Sequence, residues 1–178
     1  MSTVLWHVTM SLDGFIAPQD YSTEWMFESG GAGPMGREVM ERTGAILAGR
    51  RGFDLGTRAG SGPRAIYGGA WSGPVFVLTH RPGEATGDVR FLSGSVEEAV
   101  ATAKDAAGAK DVGVFGANLA AQCISAGLVD EIFVHLVPVL LGDGVRLFSV
   151  TGSRPVKLRK TRCDNAGQIT DLGYEILR

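Results

Sequence analysis

Three things are scarce in this sequence of 178 residues: cysteine, long apolar runs and an excess of either charge. The two cysteines, Cys123 and Cys163, are too few for a disulfide framework, and their spacing matches no metal-binding motif. No apolar run approaches the roughly 18 residues of a membrane span, and the first residues lack the basic region and apolar core of a signal peptide. We therefore expect a cytoplasmic protein without a membrane segment or a metal site.

The formal charge at neutral pH is −2, and no block of like charges occurs along the chain. Since nucleic-acid backbones bind to basic protein faces, this balance argues against a nucleic-acid partner. The Walker loop, the Gly-x-Ser-x-Gly elbow, the His-Glu-x-x-His motif and the zinc-deaminase signature are absent too. A small phosphorylated ligand is still compatible with the composition, because it needs only a few local cations.

The sequence does contain ample apolar material, 44% of its residues, and 26 glycines scattered between the apolar runs. This composition predicts one α/β domain over residues 1–178, without an internal repeat or a linker. Hydrophobic periodicity predicts helices at 34–43, 95–107 and 118–126, and strands at 4–10, 45–48, 75–79, 89–92, 112–115 and 131–137. Two last strands, 156–161 and 168–177, should add an antiparallel hairpin to a mostly parallel sheet. Residues 56–73, rich in Gly, Ser and Pro, should form a long surface excursion.

Three predicted strand ends carry residues suited to phosphate groups. Gly116 and Ala117 join a strand to a helix, where free backbone N–H groups and the helix dipole favour an anion. Arg50 and Arg51 could clamp phosphates, and the Thr-His-Arg segment at 79–81 could bind a 2′-phosphate and so select NADP over NAD. Each has a plainer interpretation as well: a tight turn, two solvated arginines that begin a helix, and a polar strand exit. Because ligands of open α/β sheets bind at the carboxyl ends of strands, the three together favour a phosphate-bearing ligand.

Acids and histidines supply the other candidates for chemistry. Asp13 could orient a heterocycle or supply a proton, or it could simply form the Asp-Gly turn. Glu24 fits better as the first residue of a short helix. His7 and His135 lie inside apolar strands, and we interpret both as core histidines with satisfied hydrogen bonds.

Taken in order, four segments resemble the dihydrofolate-reductase-like family, and within it the RibD C-terminal-domain branch. They are the loop at 10–17 (Met-Ser-Leu-Asp-Gly-Phe-Ile-Ala), the Gly-Arg-Arg-Gly-Phe segment at 49–53, the strand and exit at 75–81, and the stretch 112–148. The last is the most specific, with Gly-Leu-Val-Asp-Glu at 127–131 and Pro-Val-Leu-Leu-Gly-Asp-Gly at 138–144. The chain also departs from the family pattern. Many relatives have Gly-Gly at Gly116-Ala117, and neither Glu24 nor Glu28 is a secure match for the acid on the first helix of dihydrofolate reductases.

The resemblance implies a three-layer α/β/α sandwich, NADPH bound across the strand ends, and a homodimer. It also implies hydride transfer to a small heterocycle, with 5-amino-6-(5-phosphoribosylamino)uracil of riboflavin biosynthesis as the leading substrate. The alternatives are dihydrofolate reduction and a non-catalytic NADP(H)-binding or sensing module. Asp13 would face the substrate as the catalytic residue. The implied cofactor contacts are Ile16 and Ala17 at the nicotinamide, Gly49, Arg50 and Arg51 at the phosphates, Thr79, His80 and Arg81 at the adenosine ribose, and Gly116, Ala117, Asn118 and Leu119 at the pyrophosphate.

Overall fold

Eight strands form the central sheet of the computed structural model, which describes residues 2–30, 33–58, 63–81, 83 and 87–178. These strands are β1 (Val4–Ser11), β3 (Thr43–Gly49), β4 (Val75–Leu78), β5 (Val89–Leu92), β6 (Asp111–Phe115), β7 (Glu131–Val137), β9 (Leu158–Ala166) and β10 (Ile169–Ile176). The other two, β2 (Phe15–Ala17) and β8 (Val145–Arg146), form a separate antiparallel ribbon.

The strands of the central sheet lie in the order β5-β4-β3-β6-β1-β7-β10-β9. The first six run parallel to one another, whereas β10 is antiparallel to both β7 and β9. Strands covered on both faces need nearly continuous apolar runs, and β1, β3 and β6 have them. The predicted mostly parallel sheet with a C-terminal antiparallel hairpin is confirmed.

Helices cover both faces of the sheet: α1 (Pro34–Arg42), α2 (Arg50–Arg58), α3 (Val96–Ala107) and α4 (Ala117–Ser125). On one face, Met35 and Val39 of α1 pack against Leu5 and Phe133. On the opposite face, α3 and α4 pack against the alternate residues of the same strands, Trp6 among them. The predicted three-layer α/β/α sandwich is therefore confirmed.

The start of α3 shows how local sequence sets a helix boundary. The Ser95 hydroxyl accepts a hydrogen bond from the N–H of Glu98 at 3.2 Å, and the Glu98 carboxylate accepts one from the N–H of Ser95 at 3.1 Å. This reciprocal capping box satisfies two N–H groups that a helix end would otherwise leave without partners.

Two segments differ from the prediction. The predicted excursion at 56–73 includes the end of α2 and 3₁₀ turns at Pro63–Gly69, from which Tyr67 packs into the core; residues 59–62 lie outside the described part. Strand β9 extends past its predicted end at residue 161. The prediction missed this extension because the side chains of β9 are nearly all exposed, so no alternation of apolar and polar residues marks the strand. No helix in the described ranges is long and apolar enough to cross a membrane.

Candidate functional site

A cleft of about 790 Å³ opens at the carboxyl ends of β3 and β4. These strands are parallel neighbours with Gly49 paired to Leu78, so the residues that follow them emerge side by side. The residues that line the cleft are Asp20, Tyr21, Arg50, Arg51, Asp54, Thr79, His80 and Arg81. The structure thus brings together the two segments that the sequence associates with phosphate and ribose groups.

Arg50, the first residue of α2, is held by several partners at this cleft. It donates hydrogen bonds to the carboxylate of Asp54 at 2.7 Å and to the carbonyl oxygen of Arg81 at 2.7 Å. Its guanidinium carbon lies 5.3 Å from the centre of the Phe91 ring, a cation–π distance. Arg50 therefore begins a helix and lines the cleft, so the two interpretations of this residue are compatible.

Arg51 and Arg81 bring further positive charge to the cleft. Arg51 is exposed and donates a hydrogen bond to the hydroxyl of Tyr21 at 3.2 Å. The N–H of Arg81 donates to the Thr79 hydroxyl at 3.0 Å, which turns the chain after β4. Because the lining arginines outnumber the lining aspartates, the local potential favours an anion.

The turn between β6 and α4 lies close to Gly49, the residue directly before Arg50 of this cleft. Gly116 has φ 101° and ψ 132°, a conformation that favours glycine. A Cβ atom on Gly116 would lie 4.0 Å from the backbone nitrogen of Gly49, and one on Gly49 would lie 3.7 Å from the Cβ of Leu119. The start of α4 therefore lies beside Gly49. The first N–H groups of a helix have no partner within the helix, so an anion could bind them there.

The departure from Gly-Gly at this turn has a structural explanation. Ala117 is already the first residue of α4, and helical backbone accommodates any L residue. Only Gly116 has the positive φ that requires glycine, so one glycine is sufficient here. The peptide bonds of the described residues are all trans.

A second cleft, of about 770 Å³, borders α4 and receives two of the predicted cofactor residues. Ala117 and Asn118 line it together with Glu97, Gln122 and Arg146. The predicted cofactor residues therefore do not all share one cavity. The turn at Gly116 is linked to the first cleft by the backbone proximity of Gly49 instead.

Asp13 lies in the turn that follows β1, where its carboxylate binds the loop after β7. Oδ1 accepts hydrogen bonds from the Ser11 hydroxyl at 2.6 Å and from the N–H of Leu141 at 3.1 Å, and Oδ2 accepts one from the N–H of Gly142 at 2.7 Å. The Ser11 hydroxyl, helped by these backbone N–H groups, lowers the pKa of Asp13 below its ordinary value. Asp13 is thus an ionised acceptor at neutral pH, which favours an orienting role over proton donation. Its part in catalysis stays a prediction.

Ile16 and Ala17 belong to the ribbon of β2 and β8. Ala17 pairs with Val145, and both Ile16 and Ala17 are half-buried. The ribbon is close to the loop that follows β7, because a Cβ atom on Gly144 would collide with the carbonyl oxygen of Ala17. The two predicted nicotinamide contacts are therefore on a different element from the arginines of the first cleft.

Neither acid near the first 3₁₀ turn, Glu24–Met26, is placed inside the protein. Glu24 is exposed, and its carboxylate accepts a hydrogen bond from the N–H of Thr23 at 2.9 Å. Glu28 is exposed as well. Neither glutamate thus matches, in sequence or in structure, the acid on the first helix of dihydrofolate reductases.

Four polar side chains form a largely buried hydrogen-bonded chain that the sequence patterns did not predict. Tyr67 Oη lies 3.0 Å from His7 Nδ1, the Nε2 atoms of His7 and His135 are 2.7 Å apart, and His135 Nδ1 lies 2.5 Å from Asp171 Oδ1. Burial, together with His135, lowers the pKa of His7 to about 3, and burial raises the pKa of Tyr67 to about 12. The prediction of two hydrogen-bonded core histidines is confirmed. The sequence signal for this hydrogen-bonded chain is a polar residue at an inward-facing position on each of the adjacent strands β1, β7 and β10.

Comparison with protein families gives a match over nearly the whole chain. The model of the RibD C-terminal domain matches residues 2–170. Among curated proteins, the uncharacterized protein YyaP of Bacillus subtilis (strain 168) is 26% identical over 174 residues, which cover 93% of this chain and 91% of YyaP.

Solved structures share the fold. A putative riboflavin biosynthesis protein from Shewanella sp. PV-4 has a TM-score of 0.84 at 22% identity, with 99% of each chain covered. The diaminohydroxyphosphoribosylaminopyrimidine deaminase/5-amino-6-(5-phosphoribosylamino)uracil reductase of Thermotoga maritima has a TM-score of 0.69 at 16% identity, and 99% of this chain covers 57% of that one. Dihydrofolate reductase from Enterococcus faecalis, complexed with NADP(H), has a TM-score of 0.66 at 13% identity, with 99% of this chain and 97% of that chain covered.

Proposed function

The chain belongs to the RibD C-terminal domain family, and we propose that it is a reductase that uses NADPH to reduce a small heterocycle. The leading candidate substrate is 5-amino-6-(5-phosphoribosylamino)uracil. The similar protein from Thermotoga maritima is named as a reductase of this compound. The observation that carries the proposal is the cleft at the ends of β3 and β4, which both arginine segments line; Gly116, directly before α4, lies close to Gly49, the residue before Arg50. A cytoplasmic location, expected from the sequence, and a homodimer, implied by the family resemblance, are part of the same proposal.

The donor set of the site fits NADPH. A 2′-phosphate needs local cations, which Arg81 and its neighbours Arg50 and Arg51 would supply. A pyrophosphate needs closely spaced N–H donors and an uncovered backbone, which the first turn of α4 and Gly116 would supply. When bound, NADPH would supply the hydride, and the protein would hold and orient it.

The chain's own residues would bind the substrate and manage one proton. Asp13 is ionised, so its carboxylate can accept a hydrogen bond from the substrate but cannot donate a proton at neutral pH. Its bonds to Leu141 and Gly142 keep the turn at the end of β1 in a fixed position. A carbonyl or imine that receives hydride needs a proton as well, so another group must provide it.

The decisive experiment is a turnover assay with the candidate pyrimidine, following the loss of nicotinamide absorbance. We expect NADPH consumption that depends on this substrate. Arg51→Ala should raise the KM for NADPH and leave kcat nearly unchanged, because the lost contact binds ground state and transition state alike. Arg154→Ala is the matched control, since Arg154 is exposed and does not line the cleft.

The two alternatives make different predictions in the same assay. A non-catalytic NADP(H)-binding module would bind the cofactor and consume none of it with any heterocycle. Dihydrofolate reduction would show NADPH loss with dihydrofolate, but the exposed positions of Glu24 and Glu28 give it no support here. NADPH binding without consumption would overturn the reductase proposal.

A further inference from the structure

The segment 18–22 leads from the ribbon of β2 and β8 to the first cleft. It begins directly after Ala17, the last residue of β2, and it brings Asp20 and Tyr21 to the lining of the cleft. The predicted nicotinamide contacts and the predicted phosphate contacts lie on different elements, and this segment runs from one to the other. A cofactor that reaches from the ribbon to the arginines would therefore pass beside it.

Hydrogen bonds hold the segment 18–22 to two other parts of the protein. The side-chain amide of Gln19 donates a hydrogen bond to the carboxylate of Asp143, in the loop after β7. The N–H of Tyr21 donates to the carbonyl oxygen of Pro18 at 3.1 Å and closes a turn. The half-buried Tyr21 side chain then reaches α2, where its hydroxyl accepts a hydrogen bond from Arg51 at 3.2 Å. Tyr21 is thus placed against the first turn of α2.

The backbone of Tyr21 lies in the left-handed region, with φ 60°. This conformation costs free energy for a residue with a bulky side chain, whereas glycine adopts it freely. Backbone outliers of this kind cluster at ligand clamps and active sites. The turn itself does not need a tyrosine, so its cost favours a contribution from the Tyr21 side chain.

The Tyr21 hydroxyl and the Arg51 guanidinium form a pair of adjacent hydrogen-bond donors. The hydroxyl accepts from Arg51, and its own proton has no acceptor among the residues that the structure describes. Arg51 is exposed and carries further N–H donors. Both side chains line the cleft, so their remaining donors are available to a ligand there. Neighbouring O–H and N–H donors suit the oxygens of a phosphate group.

The charge of the cleft favours an anion even with Asp20 in its lining. Arg50 is paired with Asp54 at 2.7 Å, so these two charges offset each other. Arg51 and Arg81 have no carboxylate partner in the described ranges, and Asp20 is the one acid that remains in the lining. Two unpaired cations against one acid leave a net positive charge around Tyr21.

The order of the strands indicates which part of the cofactor would meet Tyr21. Arg51 is in the helix that follows β3, and β3 lies between β4 and β6 in the sheet. Gly116, predicted at the pyrophosphate, follows β6, and Arg81, predicted at the adenosine ribose, follows β4. The pair of Tyr21 and Arg51 therefore lies on the pyrophosphate side of Arg81. The segment 18–22 also arrives from the ribbon, where the nicotinamide is predicted.

We propose that Tyr21 binds the cofactor: its hydroxyl donates a hydrogen bond to the pyrophosphate of NADPH and holds Arg51 in place to donate a second. This inference rests on the proposed function, which supplies the cofactor. The bond to Tyr21 orients the long arginine side chain in advance, so less side-chain entropy is lost when the phosphate binds. Because NADPH and NADH share the pyrophosphate, Tyr21 strengthens the binding of both and does not select between them.

Tyr21→Phe tests the proposal by removing one oxygen atom and keeping the ring. In fluorescence titrations, we expect the Kd for NADPH to rise roughly tenfold, the effect of losing one hydrogen bond to a charged group, and the Kd for NADH to rise by a similar factor. Tyr174→Phe is the matched control, because Tyr174 packs against the core beneath α3 and α4 and does not line the cleft. A native Kd for NADPH in Tyr21→Phe would overturn the proposal. A rise for NADPH alone would overturn the assignment to the pyrophosphate.

A double-mutant cycle with Arg51→Ala measures how far Tyr21 acts by holding the arginine. Tyr21→Phe should raise the Kd for NADPH by a smaller factor in the Arg51→Ala protein than in the native protein, because no guanidinium is left to position. A merely structural role of the tyrosine ring would not produce this difference, since the ring is kept. Equal factors in both backgrounds would refute the positioning role.

Inorganic pyrophosphate separates this inference from the proposed function, because it contains neither nicotinamide nor adenosine. In a ¹H–¹⁵N NMR titration of the native protein, it should shift the backbone signals of Tyr21 and Arg51, and Tyr21→Phe should need a higher concentration for the same shift of Arg51. If neither signal moves, the anion site is wrong. If both move but neither nucleotide binds, the reductase proposal fails and the anion site stands. If NADPH binds and is consumed but Tyr21→Phe keeps the native Kd, the reductase stands and this inference fails.

Discussion

Lowering the pH from about 7.5 to about 5 should remove roughly 2 kcal/mol of unfolding free energy through His7 alone. Burial and the neighbouring His135 lower the pKa of His7 from 6.5 to about 3 in the folded protein. As the pH falls through 6.5, the unfolded chain binds a proton at His7 while the folded protein does not. Acid therefore favours unfolding, and the loss grows until the pH reaches the folded pKa of about 3.

The perturbation that isolates this effect is His7→Gln. Glutamine keeps one donor and one acceptor for His135 and Tyr67 but does not titrate. The variant should lose about 1–3 kcal/mol at neutral pH from imperfect hydrogen bonds, yet its stability should decline less towards pH 5 than that of the native protein. His80→Gln is the matched control, because His80 is exposed.

Urea unfolding of the three proteins, without cofactor, at both pH values measures the difference. The native protein and His80→Gln should lose similar amounts of stability on acidification, and His7→Gln should lose roughly 2 kcal/mol less than either. An equal loss in all three would refute the argument, because His7 would then take up protons equally in the folded and unfolded states.

Three further substitutions test other parts of the structure. Ser95→Ala should lower the free energy of unfolding by about 1 kcal/mol in urea, since it removes the capping box of α3. Gly116→Ala should cost about 1–2 kcal/mol of stability because of its φ of 101° and should weaken NADPH binding in a fluorescence titration, whereas Ala117→Gly should cost less than about 1 kcal/mol. Asp13→Asn should lower kcat and leave the Kd for NADPH unchanged, because it loosens the bonds to Leu141 and Gly142; unchanged kcat would refute an orienting role.

Much of the fold could be predicted because the parallel strands are apolar along their length and separated by helical patterns. The strands β1, β3, β6 and β7 are buried on both faces, and their nearly continuous apolar residues indicate this burial in the sequence. The hairpin strand β9 was only partly predicted. Its exposed, charged residues carry no periodic signal, and pairing with β10 alone keeps it extended.

The part of the candidate site that could be predicted is the part whose residues are brought together by the order of the strands. Arg50 and Arg81 follow neighbouring parallel strands, so their proximity follows from the fold alone. The backbone partners of Asp13 were not predictable, because the N–H groups of Leu141 and Gly142 lie 128 and 129 positions further along the sequence. The link from His7 to His135 and Asp171 depends on the order of β1, β7 and β10, which sequence periodicity does not specify.

A parallel titration of the native protein with NADPH and NADH, following nicotinamide fluorescence, tests directly whether the protein binds and selects NADPH. We expect NADPH to bind at least about tenfold tighter than NADH, a difference of about 1.4 kcal/mol that a charged contact to the 2′-phosphate can supply. Arg81→Ala should reduce this preference, and the control Arg154→Ala should keep it. Equal affinity for the two nucleotides would contradict the assignment of Arg81 and its neighbours, and no binding of either would contradict the reductase itself.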